Sequence, residues 1–420
     1  MKILGIESSC DETAAAIVED GRRLLSNVVN SQIDIHTLYG GVVPEVAARS
    51  HIEVINPVIN QALSDAGLTW DDIDAIAVTY APGLIGSLLV GTLAARTLAV
   101  LKNKPLYPIH HVEAHVYANF ITEQVSVRGL TASSDPLMSR GASETPSWQS
   151  EDCLSEASSA ALQEGAKRVT SRETAGSDET VSPQTSSTLI LPSKQPDFPM
   201  LALIVSGGHS QLVLFRDHGD YELLGQTQDD AVGEAFDKVA KIIGLPYPGG
   251  PSIAKAALHG DARKYQLPKA KLSGKYDFSF SGLKTAVLRA VQREVGVDFT
   301  FPSHELPARL NDVQRADFAA SFQRIAIETL VDKAERAFHD YSPKSVVIAG
   351  GVAANQELRR ELSARLPLPI EYAPMQLCTD NAAMIATLGY FYAQKMQPTN
   401  PFDLEVIPSL SMTKTAWNKL

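Results

Sequence analysis

Cysteine is scarce: the 420 residues hold three, at positions 10, 153 and 378, with no CxxC pair among them. An odd, widely spaced set excludes a disulfide framework and a cysteine zinc site, and it reads as the usage of a reducing compartment. Long apolar runs are missing too, since no stretch approaches the roughly eighteen uninterrupted apolar residues of a membrane span. The chain opens on MKILGIESS and enters an alternating apolar run at once, with no room for a charged and apolar leader. The expectation is a cytoplasmic protein with no membrane association. Positive charge is also short. Lys and Arg total 37 against 48 Asp and Glu, a net charge of -11, which excludes a nucleic-acid binder relying on bulk charge. Length and a hydrophobic share of 44% exclude a small scaffold or a wholly disordered chain.

What is present is an alternation of short apolar strands and helical stretches. Residues 2–7, 13–18 and 24–32 read as strands, a helix over 46–66 stops at Gly67, and 75–79 and 87–102 read as strand and helix. From 123 to 199 the pattern disappears and Ser plus Thr rise, with six Lys or Arg against eleven Asp or Glu. That composition cannot supply a packed core and reads as a disordered insertion. The α/β pattern resumes with LALIVSGGHSQLVLF and continues through helices near 235–243 and 317–338 and a strand at 345–348. KILGIESSCDETAAAIV and LALIVSGGHSQLVLF share one plan, strand, tight turn, strand, which suggests two related lobes facing a cleft. The expected layout is therefore a first lobe over 1–122, the insertion over 123–199, a second lobe over 200–395 and a tail over 396–420.

Several residue sets can carry chemistry. In HHVEAH, His111 and His115 are four apart, which on a helix puts both imidazoles on one face for a divalent metal. Asp380, in CTDNAAM ahead of a helix of small residues, is the best placed third ligand. The loops Ser206-Gly207-Gly208, Pro248-Gly249-Gly250-Pro251 and Gly350-Gly351 let backbone amides approach a phosphate or ribose. None is a Walker A or GxGxxG sequence, so P-loop and Rossmann readings fail. Asp237 in GEAFDKVAK can accept from ribose hydroxyls or pair with Lys241, and Asn355 can contact a nucleoside or cap the next helix. The stretch 263–293 interleaves basic residues with Tyr265, Tyr276, Phe278 and Phe280, a pattern suited either to RNA contact or to a solvated face over buried aromatics.

Taken in order, GIESSCDET, HHVEAH, VSGGHSQLV, GEAFDKVAKIIGLPYPGGP, FSFSGLKTAV, VIAGGVAANQELR and CTDNAAM resemble the bacterial and organellar branch of the tRNA threonylcarbamoyladenosine synthase family. The motifs span residues 1 to about 395 apart from the insertion. The resemblance implies an actin-like α/β fold of the sugar-kinase and heat-shock-chaperone type, two duplicated lobes around a nucleotide cleft. It implies transfer of threonylcarbamoyl from threonylcarbamoyl-adenylate to the adenosine 3′ of the anticodon, in tRNAs reading codons that start with A. By match to the family's motifs, His111, His115 and Asp380 hold one metal ion, iron by the family's usage with zinc as the alternative. Ile204, Val205, Ser206, Gly207 and Gly208 bind the adenylate, with Asp237, Gly250 and Asn355 around its nucleoside. Asp11 and Glu12 match acidic positions important to the family and are candidate bases. Implied partners are tRNA, an inactive paralogue and a small P-loop ATPase, with a homodimer the organellar arrangement.

Two departures stand out. The archaeal branch places a metal-ligating tyrosine ahead of VSGG where this chain has Ile204, and the insertion falls between the metal histidines and the second Gly-containing loop. Two other classes compete. A phosphotransferase or ATP-driven binding module can share the fold, but such proteins hold Mg²⁺ through carboxylates, phosphates and water rather than a histidine pair. A metallopeptidase needs a glutamate directly after the first histidine, where Val112 stands, with Glu113 one place later.

Overall fold

The computed structural model describes residues 1–125 and 189–414. Apolar residues on both faces of the first thirty positions build three strands, β1 (Lys2–Glu7), β2 (Glu12–Glu19) and β3 (Arg23–Ser31). They form an antiparallel meander, β1 on β2 from Lys2↔Glu19 to Glu7↔Ala14, with a bulge in the β2–β3 ladder at Ile17/Val18. Helices α1 (Ile33–Thr37) and α2 (Pro44–Ala66) follow. Pro44 supplies the fixed φ of a first helical turn, and Gly67, at φ 65°, takes the left-handed conformation that ends α2. Next come β4 (Ala75–Ala81), α3 (Ile85–Lys102) and β5 (Leu106–His110), which leads directly into α4 (His111–Tyr117). Strands β4 and β5 join β1 in parallel, and the short β6 (Glu123–Gln124) closes the far edge, giving the order β5-β4-β1-β2-β3-β6.

The second half repeats this plan. A meander of β7 (Met200–Val205), β8 (Ser210–Asp217) and β9 (Asp220–Gln226) precedes α5 (Val232–Ile243), α6 (Gly249–Ala257), α7 (Ser281–Glu294) and α8 (Asp312–Tyr341). Strands β10 (Ser345–Ala349) and β11 (Ile370–Tyr372), joined by α9 (Gln356–Arg365), then add in parallel to β7. The order β11-β10-β7-β8-β9 is the first sheet's β5-β4-β1-β2-β3 again. The two duplicated α/β lobes expected from the twin hairpins are observed.

Two expectations need correction. The first concerns the lobe boundary. After α10 (Met375–Cys378), helix α11 (Ala382–Lys395) packs on β1, β2, β4 and β5, so it belongs to the first lobe. Gly5 is required there, because a Cβ would meet the Ala382 carbonyl. Periodicity shows that a helix is buried but not which sheet buries it. Residues 396–414 are packed on the body of the protein: Thr399 bridges Leu106, and Leu404 and Met412 are buried.

The second correction concerns the insertion. Of the expected 123–199, the ends are anchored: Leu189 is buried, Gln195 Nε2 donates to the Phe120 carbonyl at 3.0 Å and Ser345 Oγ to that of Asp197 at 2.6 Å. The part over 126–188 lies outside the described residues. For 263–293, where two readings stood open, the structure shows the solvated face over buried aromatics. Phe278 and Phe280 are fully buried, Tyr276 nearly so, and Tyr265 stacks on Phe318 at 3.7 Å. Lys269 pairs with Glu328 and Asp332, Lys275 with Asp340, and Lys284 with Asp230. The aromatics are core and these lysines are engaged, so the stretch offers no stacking platform.

Among the described residues one helix, α3, is long and apolar enough to cross a membrane. It packs instead against α2 and β4, burying Leu88, Gly91, Ala95 and Ala99. Ile85, Leu89, Leu93 and Val100 remain exposed along one side.

Candidate metal centre and nucleotide cleft

The site gathers at the C-terminal ends of parallel strands, where open α/β sheets leave a crevice. Glu7 ends β1, His110 ends β5, Val205 ends β7 and Ala349 ends β10. Helix α4 brings His111 and His115 together, their rings edge to face with centroids 4.6 Å apart. Asp380, from the turn before α11, places Oδ1 3.5 Å from His111 Nε2 and 3.4 Å from His115 Nε2. The three ligand atoms lie within 4.8 Å of one another, and both ring nitrogens of the buried His115 lack a hydrogen-bond partner. Leaving a buried imidazole bare is costly. The donor set of two imidazoles and one carboxylate fits a divalent transition metal.

Glu7, which the sequence reading did not single out, completes the centre. Its buried carboxylate accepts from Ser9 N at 2.5 Å, Thr79 Oγ1 at 2.6 Å and His111 Nδ1 at 3.0 Å. A histidine with Nδ1–H on a carboxylate directs its Nε2 lone pair at the metal position. Burial works against charging His111, but Asp380 and Glu7 outweigh it and push it up to about 9. His115, deeper and flanked by His111, is held well below its ordinary value by burial. Burial pushes Asp380 up to about 6 against the pull of His111. The signal for Glu7 in the sequence is its place at the strand end, just ahead of the turn.

The turn after β1 carries Asp11 and Glu12. Asp11 is buried, and burial together with Asp11 and Asp380 pushes Glu12 well above the usual carboxylate range. Facing them, the turn after β7 carries Ser206, Gly207 and Gly208, beyond Ile204 and Val205, whose side chains are buried in the strand. Space is open where a Cβ would stand on Gly207, Gly208 and Gly250. Gly233 at the start of α5 has no such space, its Cβ position lying 2.6 Å from the Ser206 carbonyl, so α5 abuts this turn. Asp237 does not pair with Lys241: its Oδ1 accepts from Gly249 N at 2.7 Å and ties α5 to the Gly249-Gly250 turn. Burial raises its pKa, and Asp11 adds to the effect. Asn355 caps α9, Oδ1 accepting from Leu358 N at 3.1 Å while Nδ2 donates to Gln323. Gly350 approaches the Val205 carbonyl, and Gly351 lies beside Thr379, so the third glycine loop adjoins both the second hairpin and the Asp380 turn. Tyr247, also unmarked in the sequence reading, has its phenol pushed up by burial and by Asp11, Asp237, Cys10 and Glu12.

Glu113 faces away from the histidine pair, accepting from the hydroxyls of Tyr221 at 3.2 Å and Tyr392 at 3.3 Å. Glu113 therefore does not supply the glutamate that a peptidase motif places beside its histidine pair.

The chain was compared with known proteins. The family model described as TsaD, tRNA N6-adenosine threonylcarbamoyltransferase, matches residues 23–130 and 185–387. A tRNA N6-adenosine threonylcarbamoyltransferase of Thermomicrobium roseum is 45% identical over 402 residues, covering 94% of this chain and 93% of that one. One of Symbiobacterium thermophilum is 44% identical over 413 residues, covering 98% and 96%. Among solved structures, T. kodakarensis HypF superposes with a TM-score of 0.51 at 12% identity over 94% of this chain and 48% of that one, a likeness of fold alone. Identity of this extent, over nearly the whole of both chains, makes the chain a member of the tRNA N6-adenosine threonylcarbamoyltransferase family.

Proposed function

We propose that this protein transfers a threonylcarbamoyl group from threonylcarbamoyl-adenylate to N6 of the adenosine 3′ of the anticodon, in tRNAs reading codons that start with A. The observation that carries the proposal is the convergence of His111, His115 and Asp380, with His115 bare, between an acidic hairpin and three glycine loops. The open space at Gly207, Gly208 and Gly250 supports a nucleotide lying across the second lobe, its phosphate against the turn amides and its ribose toward Asp237. In transfer, N6 attacks the carbamoyl carbon, the bond from that carbon to the phosphate oxygen breaks, AMP leaves, and the amine proton passes to a carboxylate. Asp11 and Glu12, beside each other at the first hairpin, are the candidates for that role. Much of the rate arises from holding amine and carbonyl in line.

One divalent ion, iron by resemblance with zinc the alternative, would be held by His111, His115 and Asp380. When bound, it supplies Lewis-acid charge to the oxygen on which negative charge develops. The place a tyrosine oxygen takes in the archaeal branch falls here to water or substrate. An inactive paralogue covering the exposed apolar side of α3, and a small P-loop ATPase, are the proposed partners, with a second copy of this chain as the organellar alternative. Free Cys10 and Cys378 fit a cytoplasmic location.

The test supplies radiolabelled threonine, bicarbonate, ATP, the adenylate-forming enzyme and unmodified tRNA, with and without this protein and its partners. Label on tRNA that depends on this protein is expected. Its absence, or ATP turnover and sugar phosphorylation without tRNA, would count against the proposal. His111→Ala is expected to lose metal and transfer together, and full metal occupancy in that variant would refute the ligand assignment.

A further inference from the structure

Residues past α11 lie beyond the stretch the family model matches, and those described, 396–414, run back over the first lobe as far as the N-cap of α4 and β9. Arg96 binds the carbonyls of Phe402 and Leu404 at 3.2 and 3.3 Å, Ile407 N donates to Tyr80 O at 3.0 Å, and Gly83 N donates to Pro408 O at 3.1 Å. The strap then reaches the N-cap residue of α4 directly, and α4 itself only through Tyr221 of β9. The Leu410 carbonyl lies 3.0 Å from His110 Nε2, and the Met412 carbonyl accepts from Tyr221 OH at 2.8 Å.

His110 is the N-cap of α4, its Nδ1 accepting from Glu113 N at 3.4 Å. An imidazole caps a helix only while Nδ1 is bare, so Nε2 must carry the hydrogen. The Leu410 carbonyl accepts that hydrogen and selects the tautomer. The second contact runs through the same phenol that reaches Glu113: Tyr221 OH shares its one proton between Met412 O and Glu113 Oε2. Glu113 sits midway between His111 and His115 and is fully buried. A seven-residue helix cannot hold its own geometry, because nucleation dominates at that length. Its orientation must come from outside.

We propose that residues 401–412 form a clamp that orients the metal helix, with His110 and Glu113 as positioning residues that aim His111 and His115 at Asp380. The inference rests on the metal reading above. It is tested on the full chain with Co²⁺ as probe, following affinity by chelator competition and ligand geometry by the d–d absorption bands. Wild type is expected to bind Co²⁺ and His111→Ala not to. Leu410→Pro, which displaces the strap carbonyl, and His110→Ala should each weaken Co²⁺ binding about tenfold and alter the bands, as loss of an outer partner does. The double variant should be no worse than His110→Ala, since that change already removes the bond that Leu410→Pro breaks. His110→Asn, whose Oδ1 can take the Glu113 N–H but which loses the bond to Leu410 O, should recover the cap's share only and stay as weak as Leu410→Pro. Unchanged affinity and bands in both single variants, with only a lower melting temperature, would overturn the clamp, as would additive losses in the double variant. Should Leu410→Pro not fold, Tyr221→Phe tests the second contact by removing a single hydroxyl: it too should weaken Co²⁺ binding and alter the bands, and no change there would overturn the clamp. A wild type that binds no Co²⁺ would instead overturn the metal reading, and the clamp with it.

Discussion

Burying the Glu7 carboxylate is tolerable because a backbone amide, a threonine hydroxyl and an imidazole all meet it. Those same bonds determine which nitrogen of His111 faces Asp380. Glu7→Gln keeps the volume and an acceptor oxygen but removes the charge that makes the imidazole a better donor to metal. Metal affinity is expected to fall about tenfold with the fold intact, read by chelator competition beside a melting curve. Unchanged affinity would mean that His111 is oriented by Ser9, whose hydroxyl also reaches Nδ1 at 3.1 Å.

Between elements, the β8–β9 turn docks on α11 and α4 through His218. Its ring stacks on Phe391 with centroids 3.8 Å apart, and Tyr117 OH meets its Nδ1 at 3.1 Å. Burial pushes His218 down to about 4, Asp217 opposing and Lys395 assisting. Because the folded value lies below the unfolded one of about 6.5, the unfolded chain takes up a proton that the folded chain refuses between these values. Stability is therefore complete above about pH 6.5 and falls as pH drops toward 4, by at most about 1.4 kcal/mol per pH unit for this residue. His209, also pushed down to about 4 by burial, adds to the slope. Urea midpoints measured from pH 7.5 to 4.5 should show this loss. His218→Phe, which keeps a ring on Phe391, should flatten the dependence, and an equally steep slope in that variant would remove His218 from the account.

At the scale of the whole molecule, charge and substrate are in tension. The net charge is -11, and the stretch with the most basic residues has its aromatics in the core and several of its lysines in ion pairs. Binding of tRNA by the isolated chain should then release few counterions. The slope of log affinity against log salt is expected to stay smaller in magnitude than roughly 3, whereas binders making many phosphate contacts reach about 10. Fluorescence anisotropy with labelled tRNA across a salt series measures it, and a steep slope would show a cationic surface assembled from residues far apart in sequence.

Local chemistry was readable from the chain. Strand and helix periods, the stop at Gly67, the twin hairpins and the four-residue step from His111 to His115 each depend on neighbours within a turn or two. So does the cap at Asn355, one of two roles its position allowed. Long-range partners were not readable in this way. Glu7 meets His111 across 104 positions, and Leu410 meets His110 across 300. Whether Phe278 and Phe280 stack on a base or fill a core, and which sheet receives α11, depends on surfaces that exist only once both lobes have formed. The sequence by itself determined the fold class, the family and the residue types of the site, because these follow from local pattern and motif. The pairing of Glu7 with His111, the partner of Asp237 and the course of the C-terminal strap came only with the folded chain, because each depends on a contact whose two halves are distant in sequence.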